Sequence, residues 1–344
     1  MVIAIIGATG LVGRTILKIL HERRLTDNAE IVLYASNKHA GDTICEGNNE
    51  YQIIELKDQT IRKDIDFALF SAGAQISKLW SKKFTQHGTI VIDNSSAFRR
   101  FKNIPLVVPE INFDDITPKT KIIANPNCST IMLALPLHAI NKYNKLKRVI
   151  VSTYQAVSGA GNNAISDLLN NTNNCFNQPI TDNLLPHIDK FLDNGYTFEE
   201  DKLIFELKKI LHIPDLKVTA TAVRVPITNA HSESVNIELL KNITIKKLKQ
   251  LLNSQSGVSI YDNIENLYYP TPRLARDKDN IFVGRIRKDY SNKNSYNFFL
   301  SADNLRKGAS LNAVQILERL IEKNSSVKWF TELFYFSFVL FCPL

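Results

Sequence analysis

The chain has 344 residues, which suits two domains with a core in each. Hydrophobic residues make up 44% and charged residues 22%, an ordinary globular composition. The net charge of +8 favours anionic partners, but the lysines lie in short scattered clusters with no zinc-finger or RNA-recognition signature, so phosphate-bearing small molecules are expected and nucleic acid is not.

The first predicted element is a strand over Met1–Ile6, followed by the glycine turn Gly7-Ala-Thr-Gly10-Leu-Val-Gly13 and a helical run, Arg14–His21. Strand, glycine turn and helix in that order form a dinucleotide cradle: the glycines admit a pyrophosphate, whose charge rests on the helix N-terminus. The alternative is a glycine turn needed only for packing. Ile31–Ser36 reads as the second strand. It ends in Ser36-Asn-Lys38-His39 without the acid that usually holds a ribose 2′-hydroxyl, and this points to NADP(H). Strands over Phe67–Ser71 and Thr89–Asp93 with a helix at Ser77–Gln86 between them predict a mostly parallel α/β sheet. Ligands lie beyond the carboxyl ends of such strands, here near Gly73 and the Asn94–Arg100 stretch.

Cys128 follows Ala-Asn-Pro-Asn and precedes the apolar run Ser-Thr-Ile-Met-Leu-Ala-Leu, the start of a helix. A thiol there faces unpaired amides and the positive dipole end, which favour the thiolate over the ~8.5 of a free cysteine and could hold an oxyanion. A small buried hydrophobe at a helix start is the plainer reading. Half-buried strands are expected at Val149–Gln155 and Lys217–Pro226, with an exposed asparagine-rich loop at 170–177 between them. Gln155, in a strand-ending glycine turn, could donate to a substrate oxygen or satisfy the turn. His231 lies just past the strand that carries Arg224, and Pro226 between them lets both side chains turn to one pocket. Histidine is the usual proton-moving partner of a thiol near neutral pH. His138, on the apolar helix after Cys128, reads as a core residue.

Leu311–Glu322 has helical periodicity and is expected to pack back on the first domain. The apolar stretch from Leu333 to Cys342 is about half of the ~20 residues that span a bilayer, so no membrane insertion is expected. The cysteines at 45, 128, 175 and 342 are too far apart in sequence to suggest a metal site or a disulfide framework. The start of the chain does not read as a signal peptide, and a cytoplasmic location is expected.

Ordered motifs then add up. GATGLVG (7–13), NSSAFR (94–99), LVVPEIN (106–112), NPNCST (125–130) and STYQAVSGAG (152–161) are joined by YTFEEDK (196–202), RVPITNAHSES (224–234), VGRIRKD (283–289) and SADNLRKGASLNAVQ (301–315). From residue 1 to about 323 the chain resembles the bacterial aspartate-β-semialdehyde dehydrogenases.

That resemblance implies an α/β protein: a Rossmann-like dinucleotide-binding domain (1–127 and 305–326) and an α+β catalytic and dimerisation domain with a mixed sheet (128–304); the apolar tail (327–344) has no counterpart in it and no assigned role. It implies NADPH-dependent conversion of L-aspartyl 4-phosphate to L-aspartate 4-semialdehyde and phosphate by a homodimer, in lysine, threonine, methionine and diaminopimelate biosynthesis, without a metal. Cys128 would be the nucleophile, His231 the acid–base and Gln155 the residue that orients the acyl intermediate. Arg224 and Glu199 would hold the carboxylate and amino ends of the substrate, and Arg99 and Lys202 its phosphate. Gly7, Thr9, Gly10, Leu11, Val12, Ser36, Lys38, Gly73, Ser158, Gly159 and Asn304 would meet the cofactor.

Departures are Lys38 and His39 where the family usually has Arg and Ser, and Ala74 where a second Gly is common. The rivals are another acyl-phosphate reductase, such as N-acetyl-γ-glutamyl-phosphate reductase, and a thiol hydrolase. The Asn-Cys-Ser context weighs against the first, and the glycine turn against the second.

Overall fold

The computed structural model describes residues 1–323 of the protein. The expectations for the tail at 327–344 and for Cys342 lie outside the described residues, as do residues 324–326.

The apolar run at the start of the chain forms β1 (Val2–Ile6), from which Gly7 turns into α1 (Leu11–Glu22). There follow β2 (Glu30–Ala35), β3 (Thr43–Glu46), β4 (Asn49–Glu55), β5 (Phe67–Phe70), α2 (Ala74–Thr85), β6 (Ile90–Asp93), α3 (Pro109–Asn112) and β7 (Ile122–Ala124). The seven strands form one sheet in the order β3-β4-β2-β1-β5-β6-β7. All pairings are parallel except that of β3 with β4. This antiparallel edge was not foreseen: Thr43–Glu55 carries polar residues on an outer strand pair, so its apolar alternation is weak. Chain order reverses beside β1, where a crevice opens at the strand ends.

The second half comprises α4 (Cys128–Tyr143), β8 (Leu146–Gln155), α5 (Asn162–Asn170), α6 (Phe198–Ile210), β9 (Lys217–Arg224), β10 (His231–Leu239), α7 (Ile245–Asn253), β11 (Val258–Ile260), α8 (Pro272–Ala275), β12 (Ile281–Lys288) and β13 (Ser295–Ala302). A six-stranded mixed sheet runs β11-β12-β13-β10-β8-β9, with β8·β9 and β11·β12 parallel and the rest antiparallel. Val149 and Val151 on β8 alternate with partly exposed Arg148, Ile150 and Ser152, as a sheet covered on one face requires. The covered face packs on α4, which is apolar all round and therefore buried: Ile131–Leu135, Leu137 and Ile140 share a core with Val235, Ile237, Phe298 and Leu300.

After β13 the chain makes a π-turn at Arg306–Ser310 and then a helix, α9, through residues 311–323. Leu311, Val314, Ile316, Leu317 and Leu320 join Ile3, Ile5, Ile16 and Leu20 in the core of the first sheet. The last described helix thus packs on the nucleotide side of the molecule. Among the described residues no helix is long and apolar enough to cross a membrane.

Candidate active site

At the end of β1, Gly7 takes φ +87°, and a Cβ there would lie 2.9 Å from the Ala72 amide nitrogen. A Cβ on Gly13 would lie 2.3 Å from the Gly7 carbonyl oxygen, so only glycine allows this close packing of turn and helix. α1 starts at Gly10 without a side-chain cap, which leaves its first amides to receive an anion. Gly7, Thr9, Gly10, Ala35, Ser36, Leu56, Ile76 and Trp80 line a cavity of about 530 Å³, with apolar walls and an amide-rich floor that fit a dinucleotide. Leu11 and Val12 open α1, and Gly73 caps α2 at φ +89°. Lys38 lies exposed in the short turn after Ser36. His39 is tied to Asp42 at 3.1 Å and is not a second free cation there.

The six-stranded sheet builds the other side. Gln155 and Arg224 are register partners at the ends of β8 and β9, and His231 opens β10 beside them. A Cβ on Gly159 would lie 3.0 Å from Arg224 Nη1 and 3.3 Å from His231 Nε2, so both groups converge over one glycine. Arg224 Nη1 donates to the Ala156 carbonyl at 2.8 Å, while its Nε has no partner. His231 is wholly buried. Its Nδ1 accepts from the Ala156 amide at 3.0 Å and its Nε2 is unpartnered. Burial, aided by the Arg224 charge, holds this imidazole well below its ordinary value.

Cys128 is the first residue of α4, as its sequence context predicts, but the expected thiolate is not favoured. Burial pushes the thiol up to about 12 and the Glu199 carboxylate adds to this; Arg224, Arg99 and the Ser129 amide pull it down without prevailing. Two of the helix-start amides are already engaged: Asn127 Oδ1 accepts from Ser129 N at 3.0 Å and Thr130 N at 3.4 Å. A good N-cap thus takes two donors that an oxyanion could otherwise share. Opposite, a Cβ on Gly308 of the π-turn would lie 3.0 Å from Cys128 Cβ, so the turn presses closely on the cysteine.

α6 supplies the charged wall. A capping box between Thr197 and Glu200 starts it, and Glu199, Lys202 and Glu206 then follow at i, i+3 and i+7 on one face. Glu199 Oε1 accepts from Asn127 Nδ2 at 2.9 Å and Gln155 Nε2 at 3.1 Å, and its Oε2 from Lys202 Nζ at 3.1 Å. Burial pushes the Glu199 carboxyl up, but Lys202, Asn127 and Gln155 outweigh it and leave it below the usual range. Arg99 donates to Glu206 Oε1 at 3.1 Å and to the Asn94 carbonyl at 2.7 Å. Ser158 and Asn304 bond to each other, the Asn304 amide donating at 3.0 Å, and Asn304 Oδ1 also accepts from Ala230 N.

The structure therefore gathers Cys128, Gln155, Glu199, Lys202, Arg99, Arg224 and His231 at the ends of the second sheet, with Gly159, Ser158 and Asn304 on the rim. Gly7 to Val12, Ser36, Lys38 and Gly73 form a separate cradle on the first sheet. Sequence reasoning missed Asn127 and Glu206, whose amide nitrogens and carboxylate tie α4 to α6; Glu206 Oε2 accepts from Asn127 N at 2.7 Å. Both had signals: Asn127 occupies a preferred N-cap position, and Glu206 lies two turns beyond Glu199.

Comparison with known proteins decides the family. Residues 2–118 match the semialdehyde dehydrogenase NAD binding domain, and residues 136–307 match the semialdehyde dehydrogenase dimerisation domain. The chain belongs to the aspartate-semialdehyde dehydrogenase family. A relative named aspartate-semialdehyde dehydrogenase, from Aquifex aeolicus, is 46% identical over 93% of this chain and 98% of its own length. The crystal structure of aspartate semialdehyde dehydrogenase II from Vibrio cholerae, complexed with ASA, superposes with a TM-score of 0.88 at 39% identity, covering 93% of this chain and 98% of that one. The Candida albicans enzyme, solved with NADP, gives a TM-score of 0.76 at 26% identity, covering 94% and 99%. As a member of this family of oxidoreductases, the chain pairs a Rossmann-like NAD-binding sheet with a dimerisation sheet, as the sequence led one to expect.

Proposed function

We propose that this chain catalyses the reversible NADPH-dependent reduction of L-aspartyl 4-phosphate to L-aspartate 4-semialdehyde, with release of phosphate. It does so as a homodimer in the cytoplasm, in the biosynthesis of lysine, threonine, methionine and diaminopimelate. The observation that carries this reading is the convergence of His231 Nε2 and Arg224 Nη1 over Gly159, beside a cysteine that opens a helix. Residues 1–127 with 305–326 serve as the nucleotide domain and residues 128–304 as the catalytic and dimerisation domain.

In the forward direction Cys128 Sγ attacks the β-acyl carbon of the substrate while the thiol proton passes to a phosphoryl oxygen, a tetrahedral oxyanion forms, and it collapses to a thioester as hydrogen phosphate leaves. Reduced nicotinamide bound in the Gly7–Val12 cradle would supply the hydride for the thioester. The thiohemiacetal oxyanion that results expels Cys128 as thiolate and frees the aldehyde. Both oxyanions need a donor, and His231 provides Nε2–H from a ring that stays neutral. Arg224 clamps the α-carboxylate, its free Nε available for the second bond of a bidentate pair. Glu199 faces the amino group, Gln155 orients the acyl carbonyl, and Lys202 and Arg99 receive the phosphoryl group.

A substrate bearing two anionic ends brings its ammonium group to Glu199 and relieves the carboxylate that now raises the thiol. Burial, the larger cause, remains, so the thiolate set free with the aldehyde takes its proton back from water. The test is nicotinamide absorbance at 340 nm, with aspartate semialdehyde, inorganic phosphate and NADP or NAD in turn. Phosphate-dependent reduction of NADP supports the reading. Turnover of N-acetylglutamate semialdehyde in its place, or phosphate independence, overturns it.

A further inference from the structure

The three cations around the substrate pocket are matched by three carboxylates. Arg99 pairs with Glu206, and Lys202 Nζ lies 2.8 Å from Asp189 Oδ2 and 3.1 Å from Glu199 Oε2. Arg224 is the third cation, within the field of Glu199. A substrate with both a carboxylate and a doubly charged phosphoryl group cannot simply add to a site already neutral; one resident anion has to give way.

Two of the three cannot leave cheaply. Glu199 and Glu206 are buried on α6, and each also accepts from Asn127. Asp189 is different. It is exposed, lies in irregular chain, and takes φ +68°, a left-handed conformation that a non-glycine residue seldom holds. Its other side-chain bond is to the amide of its own neighbour Lys190, at 2.9 Å. With Leu185, His187 and Phe191 it lines a cavity of about 530 Å³ that Arg224 also faces. An exposed carboxylate can return to water at little cost, whereas the largely buried Lys202 ammonium has to keep an anionic partner.

We propose that Asp189 is a placeholder for the phosphoryl group, holding the Lys202 ammonium in the empty enzyme and ceding it when phosphate or acyl phosphate enters. This rests on Lys202 being the phosphate ligand, as in the proposed function. The ammonium is a compact charge with three rotatable donors, so it exchanges one oxyanion for another without a new rotamer, while Glu199 stays bonded. Burial works against the Lys202 charge, but Glu199 and Asp189 outweigh it and hold the ammonium above its ordinary range. The cation is therefore present to receive phosphate throughout the neutral range. A phosphoryl dianion attracts it more strongly than a single carboxylate does.

The experiment is steady-state kinetics of the full-length Asp189→Asn enzyme in the phosphate-consuming direction, with semialdehyde and NADP saturating. The KM for inorganic phosphate should fall about two- to five-fold, the range for losing a partly exposed competing ion pair, with little change in the semialdehyde KM. An unchanged or raised phosphate KM overturns the proposal and leaves Asp189 as a residue that orients Lys202. Lys202→Met separates this from failure of the underlying reading: if that variant keeps its phosphate KM, Lys202 is not the phosphate ligand at all. Melting temperature against inorganic phosphate, with no turnover, gives a second readout; the upward shift at a fixed phosphate concentration should be larger in Asp189→Asn than in the parent, and an equal or smaller shift counts against the placeholder.

Discussion

The Ala156 amide donates to His231 Nδ1 across 3.0 Å, and this bond selects the tautomer of the ring. A nitrogen that accepts from an N–H carries no proton, so the neutral ring bears its hydrogen on Nε2, the atom that faces Gly159. The sequence pointed to an acid–base histidine; in the resting site its geometry is that of a donor.

His231→Ala should lower kcat by about 10²- to 10³-fold, the usual loss for an oxyanion donor, with a smaller change in KM. Because burial and Arg224 hold the imidazole well below 6.5, the parent enzyme should show no loss of activity from this group as pH falls through 6.5. Nitrogen NMR of labelled histidine would report the Nε2–H form at pH 7. A ring protonated on Nδ1 contradicts the assignment.

Cys128→Ala should abolish turnover. More tellingly, alkylation of Cys128 by iodoacetamide in the empty enzyme should be slow at pH 7 and still rising above pH 9, because burial and Glu199 keep the thiol protonated. Glu199→Gln removes the second cause, so alkylation should speed up at fixed pH even as the substrate KM rises. A rate already at its plateau by pH 8 would show that the thiol is not raised.

Glu233, two residues along β10 from His231, is wholly buried with neither carboxylate oxygen hydrogen-bonded. Burial alone pushes its carboxyl well above 4.5. A carboxyl raised on folding binds its proton more tightly in the folded than in the unfolded chain. Its contribution is therefore intact below the ordinary carboxyl range and is lost as pH climbs from there toward the raised value. Urea denaturation between pH 4.5 and 8 should show the parent weakening relative to Glu233→Gln by up to about 1.4 kcal/mol for each pH unit between the ordinary and the raised carboxyl value. A difference that does not change with pH would mean that Glu233 titrates normally.

Lys307 is 1% exposed, and its Nζ reaches Glu110 Oε1 at 2.7 Å, Gln315 Oε1 at 2.6 Å and Asn312 Oδ1 at 3.2 Å. Its neighbour Arg306 binds Glu22 and Asp279, so two cations pin the π-turn that sets Gly308 against Cys128. Lys307→Met should cost about 3–5 kcal/mol in a denaturant melt, because Glu110 is left buried and unpaired. Adding Glu110→Leu should recover much of that stability while kcat stays low. Recovery of both would deny the turn any part in placing the cysteine.

Much of this protein could be read from residues that are neighbours in the chain. Gly7, Gly10 and Gly13, the strand before them and the helix after them needed only local geometry, as did the helix start at Cys128 and the α9 periodicity that placed Leu317 and Leu320 in a core. The ordered motifs from GATGLVG to SADNLRKGASLNAVQ carried the family. What they could not carry was the state of the groups they named. The thiol was expected to ionise because its helix favours an anion, but the fold buries it, Asn127 takes two of the helix amides, and Glu199, far along the chain, supplies an opposing charge. The tautomer of His231 depends on an amide at position 156, the pairing of Lys202 on Glu199 and Asp189, and the seat of Cys128 on Lys307 and Gly308. Proton affinity and donor availability are set by desolvation and by charges within a few ångströms, and only the closed fold determines which distant residues those are.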